Sequence, residues 1–333
     1  MRAARPSFIA LLAVAAATAG CLPADDRPPP GKLLMTASPS PAVEQGVTTV
    51  DGWLLTFQRV TLGIGRVSLG DGCNSYSEAR YDRILDVTKG SGQKISEQYG
   101  IGVCDVRFRV NVPATDAVLG AGMTEADRAV MRTPGTDLYA TDAGVTIWIE
   151  ATASREGVTK TLRWLFRQPY RYESCGVKID GQIAAGVNLV GSENQTFDIG
   201  VAAERLFRDD IQEATAALRF DPFAAADANN DGQITLEELG KVELSKIRGL
   251  GPYGLDADAG DGGDAHVEAG KADAGDMDSG DMDAGDMDAG DGGPRGITTL
   301  QDYVYNVLMP TLPRFRDTGS CVAIPGTGGG HHD

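Results

Sequence analysis

The sequence predicts a mainly β chain, an antiparallel β-sandwich followed by a small helical region, α+β overall. Three observations predict this. Between about residues 46 and 207, apolar and polar residues alternate at period two in several short runs, the spacing of strands with one buried face. Glycine-rich turns separate the runs, as expected of sandwiches built from many short strands. After Phe207 the spacing turns helical and the composition acidic.

Each strand has its own justification. "WLLTF" puts Trp53, Leu55 and Phe57 on one face, and "VRFRVNV" sets Val106, Phe108, Val110 and Val112 against Arg107, Arg109 and Asn111. "GVTIWIEATAS" and "VTKTLRWLFRQ" flank Arg155, Glu156 and Gly157, which read as a hairpin turn. "FDIGVAA" is a further candidate. One helix interrupts, "TEADRAVMR", with Thr124 and Asp127 in capping-box register and "TPG" at its end. Trp53, Trp148 and Trp164 have the flat faces on which sugars stack, but they fall within the strand alternation and are expected in the core.

The helical region starts with "DDIQEATAALRF", after which Asp221 and Pro222 form an N-cap and first-turn pair. Residues 208–250 make up this region. Residues 251–295 follow with strongly biased composition and the five-residue unit "GDMDA". Such a segment has little to bury and repels itself, so an unfolded insert is expected. In 296–318, Leu300, Tyr303, Val304, Val307 and Leu308 fall on one helical face and Pro310 ends it. Residues 319–333 are a tail.

The formal net charge of the 333 residues is -17. Asp256 to Asp291 hold 13 acidic residues and one basic, a local -12 that leaves -5 for the remainder. This balance excludes nucleic acid as a partner, since phosphate binding needs a basic surface. Three histidines are present, His266, His331 and His332, and none lies in the β region. Zinc sites and histidine-activated nucleophiles therefore lack their residues there. No phosphate-binding glycine loop and no GxSxG occur, and nothing singles out a carboxylate pair for catalysis.

The first 20 residues read as a targeting segment. Arg2 and Arg5 precede the apolar "FIALLAVAAATAG", too short for a transmembrane span, and "TAGC" follows. This ending resembles a bacterial lipobox, although Thr18 stands where leucine is usual. The resemblance implies that Cys21 is lipidated and becomes the mature N-terminus, with the membrane as a partner through that lipid. Leu22 after it implies the outer membrane, by analogy with enterobacterial sorting. Residues 21–45, with the run Pro28 to Pro30, are expected to be a tether before a β domain at 46–207. Export favours oxidation of the four other cysteines, Cys73, Cys104, Cys175 and Cys321. Three pairings are open, and the closeness of the first two in sequence favours Cys73–Cys104 with Cys175–Cys321.

"DANNDGQITLEE", Asp227 to Glu238, is the one stretch that carries chemistry by its spacing. Oxygen-bearing side chains stand at its first, third and fifth positions, glycine at the sixth and glutamate at the twelfth. It resembles the calcium loop of the EF-hand family. The resemblance implies Ca2+ held by the side chains of Asp227, Asn229 and Asp231, the backbone carbonyl of Gln233, a bridging water at Thr235 and both oxygens of Glu238. Calcium is a hard cation that takes six to eight oxygens, and Gly232 allows the sharp turn around it. Pro222 lies five residues before the loop, so the entering helix is expected to be short. EF-hands normally pair through their eighth residues. "ITTLQDYVYNVL" after the acidic insert echoes "ITLEELGKVEL", so Ile297 is expected beside Ile234 in a degenerate second hand without its own calcium. The acidic repeats lack the required positions and are read as a solvated spacer.

The chain as a whole resembles myxobacterial-type lipoproteins with a β domain beginning near "DGW". The resulting expectation is an exported, lipid-anchored, non-enzymatic calcium-binding protein with a structural or interaction role. A β-sandwich module for a small ligand or glycan with a structural calcium site is the alternative, an enzyme with an unrecognised carboxylate site is a third reading, and the protein or glycan partner is unidentified.

Overall fold

The computed structural model describes residues 29–70, 72–77, 81–137, 140–179, 182–211, 215–247, 251, 253, 296–315 and 319–326. Cys21, the targeting segment and nearly all of the acidic insert lie outside them.

The chain is mainly β, as its period-two runs predict. In order come β1 (Gly31–Pro39), the short helix α1 (Pro41–Gln45), β2 (Val47–Thr48), β3 (Leu54–Leu69), β4 (Cys73–Ser77), β5 (Asp82–Asp86), β6 (Gln93–Cys104), β7 (Val106–Val110) and β8 (Val118–Leu119). The helix α2 (Glu125–Arg132) precedes β9 (Ile147–Arg155), β10 (Val158–Phe166), β11 (Tyr170–Ile179), β12 (Gln182–Ala185), β13 (Val187–Leu189) and β14 (Asn194–Val201). One sheet runs β13-β6-β1-β14-β16, with β4 beside β6, and ends in β16 (Pro313–Phe315). The larger runs β12-β11-β7-β3-β9-β10-β15, with β15 (Gln233–Ile234) at its edge and β17 (Ser320–Pro325) against β11. Most pairings are antiparallel, while β1 with β14, β10 with β15 and β5 with β8 are parallel.

Alternation places the side chains as expected. Trp53, Leu55 and Phe57 are buried while Leu54 is exposed. On β7, Val106, Phe108 and Val110 are fully buried and Arg109 faces out. The β9–β10 turn has positive φ at both Glu156 and Gly157 (52° and 82°), the backbone of a type I′ hairpin. Thr124 and Asp127 form the capping box of α2. Both disulfides have the favoured pairing: Cys73–Cys104 joins β4 to β6, and Cys175–Cys321 joins β11 to β17.

Several expectations need correction. Residues 31–39 are not tether but a central strand, since Leu33, Met35 and Ala37 alternate into the core and β1 pairs on both sides. The prolines before it suggested a linker and hid this pattern. The described part of 208–220 forms no helix. Instead Arg208 bridges to Leu218, and Asp209 accepts the amide of Ala217 and the guanidinium of Arg219. Asp221 is not the N-cap of the following turn α3 (Asp221–Ala224). Asp51, from the β2–β3 turn, accepts the amides of Phe220 and Asp221 at 2.7 Å. That frees the Asp221 carboxylate for the indole N–H of Trp53 and the guanidinium of Arg155.

Among the described residues no separate core follows residue 207. Phe207, Phe220, Phe223 and Ile234 belong to the same buried cluster as Trp164 and the strands of both sheets. After α4 (Leu236–Leu239) and α5 (Leu244–Ile247), the C-terminal helix α6 (Leu300–Tyr303) and the turn after it bury Leu300, Tyr303, Val304 and Leu308 of the predicted face, and Val307 is half-buried. It continues into a π turn over Val304–Leu308. The wider turn rotates the face, so Tyr305 is buried as well.

Candidate metal centre

Asp227 to Glu238 forms a docked loop on the edge of the larger sheet. It is entered from the single turn α3 and left through the single turn α4 (Leu236–Leu239). Positive φ at Asn230 (57°) and Gly232 (82°) folds the chain back on itself. Three side chains then turn inward onto backbone amides. Asp227 Oδ1 accepts from the Asp231 amide at 3.1 Å and Oδ2 from the Gly232 amide at 3.0 Å. Asn229 Oδ1 accepts the Asp231 amide at 2.9 Å, and Asp231 Oδ1 accepts the Gln233 amide at 2.7 Å. The first, third and fifth positions therefore gather around one short stretch of backbone. Asp227 is buried, while Asn229, Asp231 and Gln233 are exposed.

Thr235 and Glu238 stand at the far end. Thr235 caps α4, its hydroxyl accepting the Glu238 amide at 3.2 Å. Glu238 is buried, and its Oε2 accepts the Thr235 amide at 2.9 Å and hydroxyl at 3.0 Å. The expected bidentate ligand thus spends one oxygen on its own helix N-terminus.

The sheet anchors the loop. Gln233 and Ile234 lie in parallel register with Thr161 and Leu162 of β10. The Thr161 amide donates to the Gly232 carbonyl at 2.8 Å, and the Trp164 indole N–H donates to the Ile234 carbonyl at 2.8 Å. Ile234 is buried, so its expected apolar neighbour exists but comes from the sandwich rather than from a second hand. Ile297 is 41% exposed, and its segment pairs further on: the Leu300 amide donates to Val242 and the Leu244 amide to Thr298. The echo survives only as a second capping box, Thr299 with Asp302, one residue out of the expected alignment. This C-terminal segment still packs on the exit helix, with Gln301 against Gly240, and α5 (Leu244–Ile247) follows beside it.

One residue in the centre escaped the sequence reading. Lys160 of β10 donates from Nζ to Asp227 Oδ2 at 2.5 Å, with side-chain exposures of 13% and 0% for the pair. This ammonium holds the Asp227 carboxyl below the usual carboxylate range against burial, which pushes it up, and the Gly232 and Asp231 amides assist. The signal was available. Leu162, Trp164 and Phe166 alternate inward along β10, and the same register carries Lys160 toward the loop.

The donor chemistry fits calcium: carboxylate, amide and carbonyl oxygens, with three formal negative charges from Asp227, Asp231 and Glu238. The arrangement is that of a loop closed on a lysine. Among the described residues no three His, Cys, Asp or Glu side chains stand close enough together to hold a metal ion. A bound ion would need Lys160 to withdraw and Glu238 to turn from its cap. No family model, no curated protein and no solved structure matches the chain.

Proposed function

We propose that this chain is an exported, lipid-anchored calcium-binding protein with a structural or interaction role, in which an ion in the loop 227–238 fastens the C-terminal helices to the sheet. What supports this reading is the position of the loop. It carries every oxygen position of a calcium loop, and it joins β10 on one side to the helices covered by α6 on the other. Asp227, Asn229, Asp231 and Glu238 would hold the ion with the Gln233 carbonyl, and Thr235 would orient Glu238 or a water. The ion supplies charge neutralisation and cross-linking of the two ends of the loop. No catalytic residue is assigned.

The three tryptophans give the glycan-module alternative no support. Trp53 and Trp164 are buried, and Trp148 is 6% exposed, covered by the guanidinium of Arg59 4.1 Å from its ring centroid. None offers a face to a sugar.

Thermal unfolding tests the calcium reading. Extracellular calcium modules bind at about 10⁻⁴–10⁻³ M, and a 100-fold excess of ion over the dissociation constant adds about 2.7 kcal/mol. We expect melting several degrees higher in calcium than in EDTA, and Glu238→Gln to abolish most of that difference. Identical melts for the unaltered chain would reject it. The anchor is tested separately: Cys21→Ser should release the protein from the membrane fraction, and a variant that still sediments with membranes would reject the lipid anchor.

A further inference from the structure

We infer that Lys160 is a built-in competitor for the cation of the loop, so that calcium enters by displacing a lysine rather than by filling an empty cradle; this rests on the calcium reading above. Three observations carry it. The Lys160 ammonium lies 2.5 Å from Asp227 Oδ2, the first oxygen position of the loop. The same carboxylate group is held by the amides of Asp231 and Gly232, so its place is fixed from within the loop. Lys160 is itself fixed by strand register, because the residue after it, Thr161, donates its amide to the Gly232 carbonyl and pairs with Gln233.

The physical consequence is competition. An ammonium and a divalent ion on one buried carboxylate repel strongly, since little solvent screens them. One must leave. Lysine can, because its charge sits at the end of a flexible four-carbon stem, and β10 has exposed residues on either side, Thr159 and Thr161. The lysine also explains how the loop can close without calcium. A carboxylate buried among amides needs a counter-charge, and Lys160 supplies one. Displacement then costs calcium affinity, which sets the site toward the high ion concentrations outside the cell.

Lys160→Met and Lys160→Gln keep much of the stem and remove the charge, whereas Lys160→Arg keeps a charge. Calcium affinity is measured by competition with a chromophoric chelator, and melting is followed in EDTA and in calcium. We expect Met and Gln to bind calcium about tenfold tighter or more, with Arg showing no such gain. The Met and Gln variants should melt below the unaltered chain in EDTA and recover in calcium, a crossing that lost packing alone would not produce. Equal affinities in the unaltered chain and both neutral variants would overturn the inference while leaving the calcium reading standing. No calcium uptake by any of them, neutral variants included, would overturn both.

Discussion

Trp164→Ala is expected to cost about 3–5 kcal/mol, the range for truncating a fully buried large aromatic. Trp164 has no exposed surface, and its ring lies 5.8 Å from that of Phe207, 6.0 Å from Phe223 and 6.2 Å from Phe166. These rings come from the hairpin, from the end of the β region and from the turn that enters the loop, so one deletion opens a cavity where three parts of the chain meet. The indole N–H also holds the Ile234 carbonyl. Trp164→Phe isolates that second role. It keeps most of the packing but leaves a buried carbonyl without its donor, for about 1–3 kcal/mol. Urea unfolding of the two variants checks both figures. A loss under about 1 kcal/mol for Trp164→Ala would mean that this junction is not part of the cooperative core.

The second large effect is expected from the Cys175–Cys321 disulfide. It spans 146 residues in sequence, against 31 for Cys73–Cys104. In the chain-entropy account a cross-link stabilises by restricting the unfolded chain, by about 2–5 kcal/mol, and more for a longer loop. The ratio of 146 to 31 is worth about 1.4 kcal/mol in favour of the long bridge. The bridge also fastens β17 to β11, in register from Tyr170–Pro325 to Glu173–Val322, and so closes the helical region onto the sandwich. Cys175→Ala with Cys321→Ala should therefore lower the denaturation midpoint further than Cys73→Ala with Cys104→Ala. The reverse order would show that local geometry outweighs chain entropy here.

Much of this architecture was legible in the sequence because strand periodicity is a local signal. Val106, Phe108 and Val110 announce one face of β7 without any tertiary knowledge, and Glu156-Gly157 announces the β9–β10 turn. Pairing partners are not local, and the misreadings collect there. Nothing in "GKLLMTASP" says that it lies between β6 and β14, and the prolines before it point the other way. Asp221 has the right residue type for an N-cap, yet Asp51, 170 residues earlier, takes that role and leaves Asp221 to Trp53 and Arg155.

The loop followed the same rule. Its internal turn and the positive φ of Gly232 could be read from spacing alone, whereas the Thr235–Glu238 cap was hidden because the calcium pattern assigns both residues to the ion. What it docks on could not. Family habit supplied a second hand for Ile234, whereas the fold supplies Leu162 of β10. Lys160 was legible in principle, as a charge on the apolar register of a strand, but its meaning depends on Asp227 arriving opposite it from 67 residues away.

The number of calcium ions that each purified chain retains tests the loop most directly. Equilibrium dialysis against millimolar calcium, with the ion and the protein both quantified, measures this for the unaltered chain and for Glu238→Gln. One ion per chain is expected, lost when Glu238 is replaced. A chain that retains no calcium, or a Glu238→Gln variant that retains one ion as firmly as before, would contradict the calcium reading.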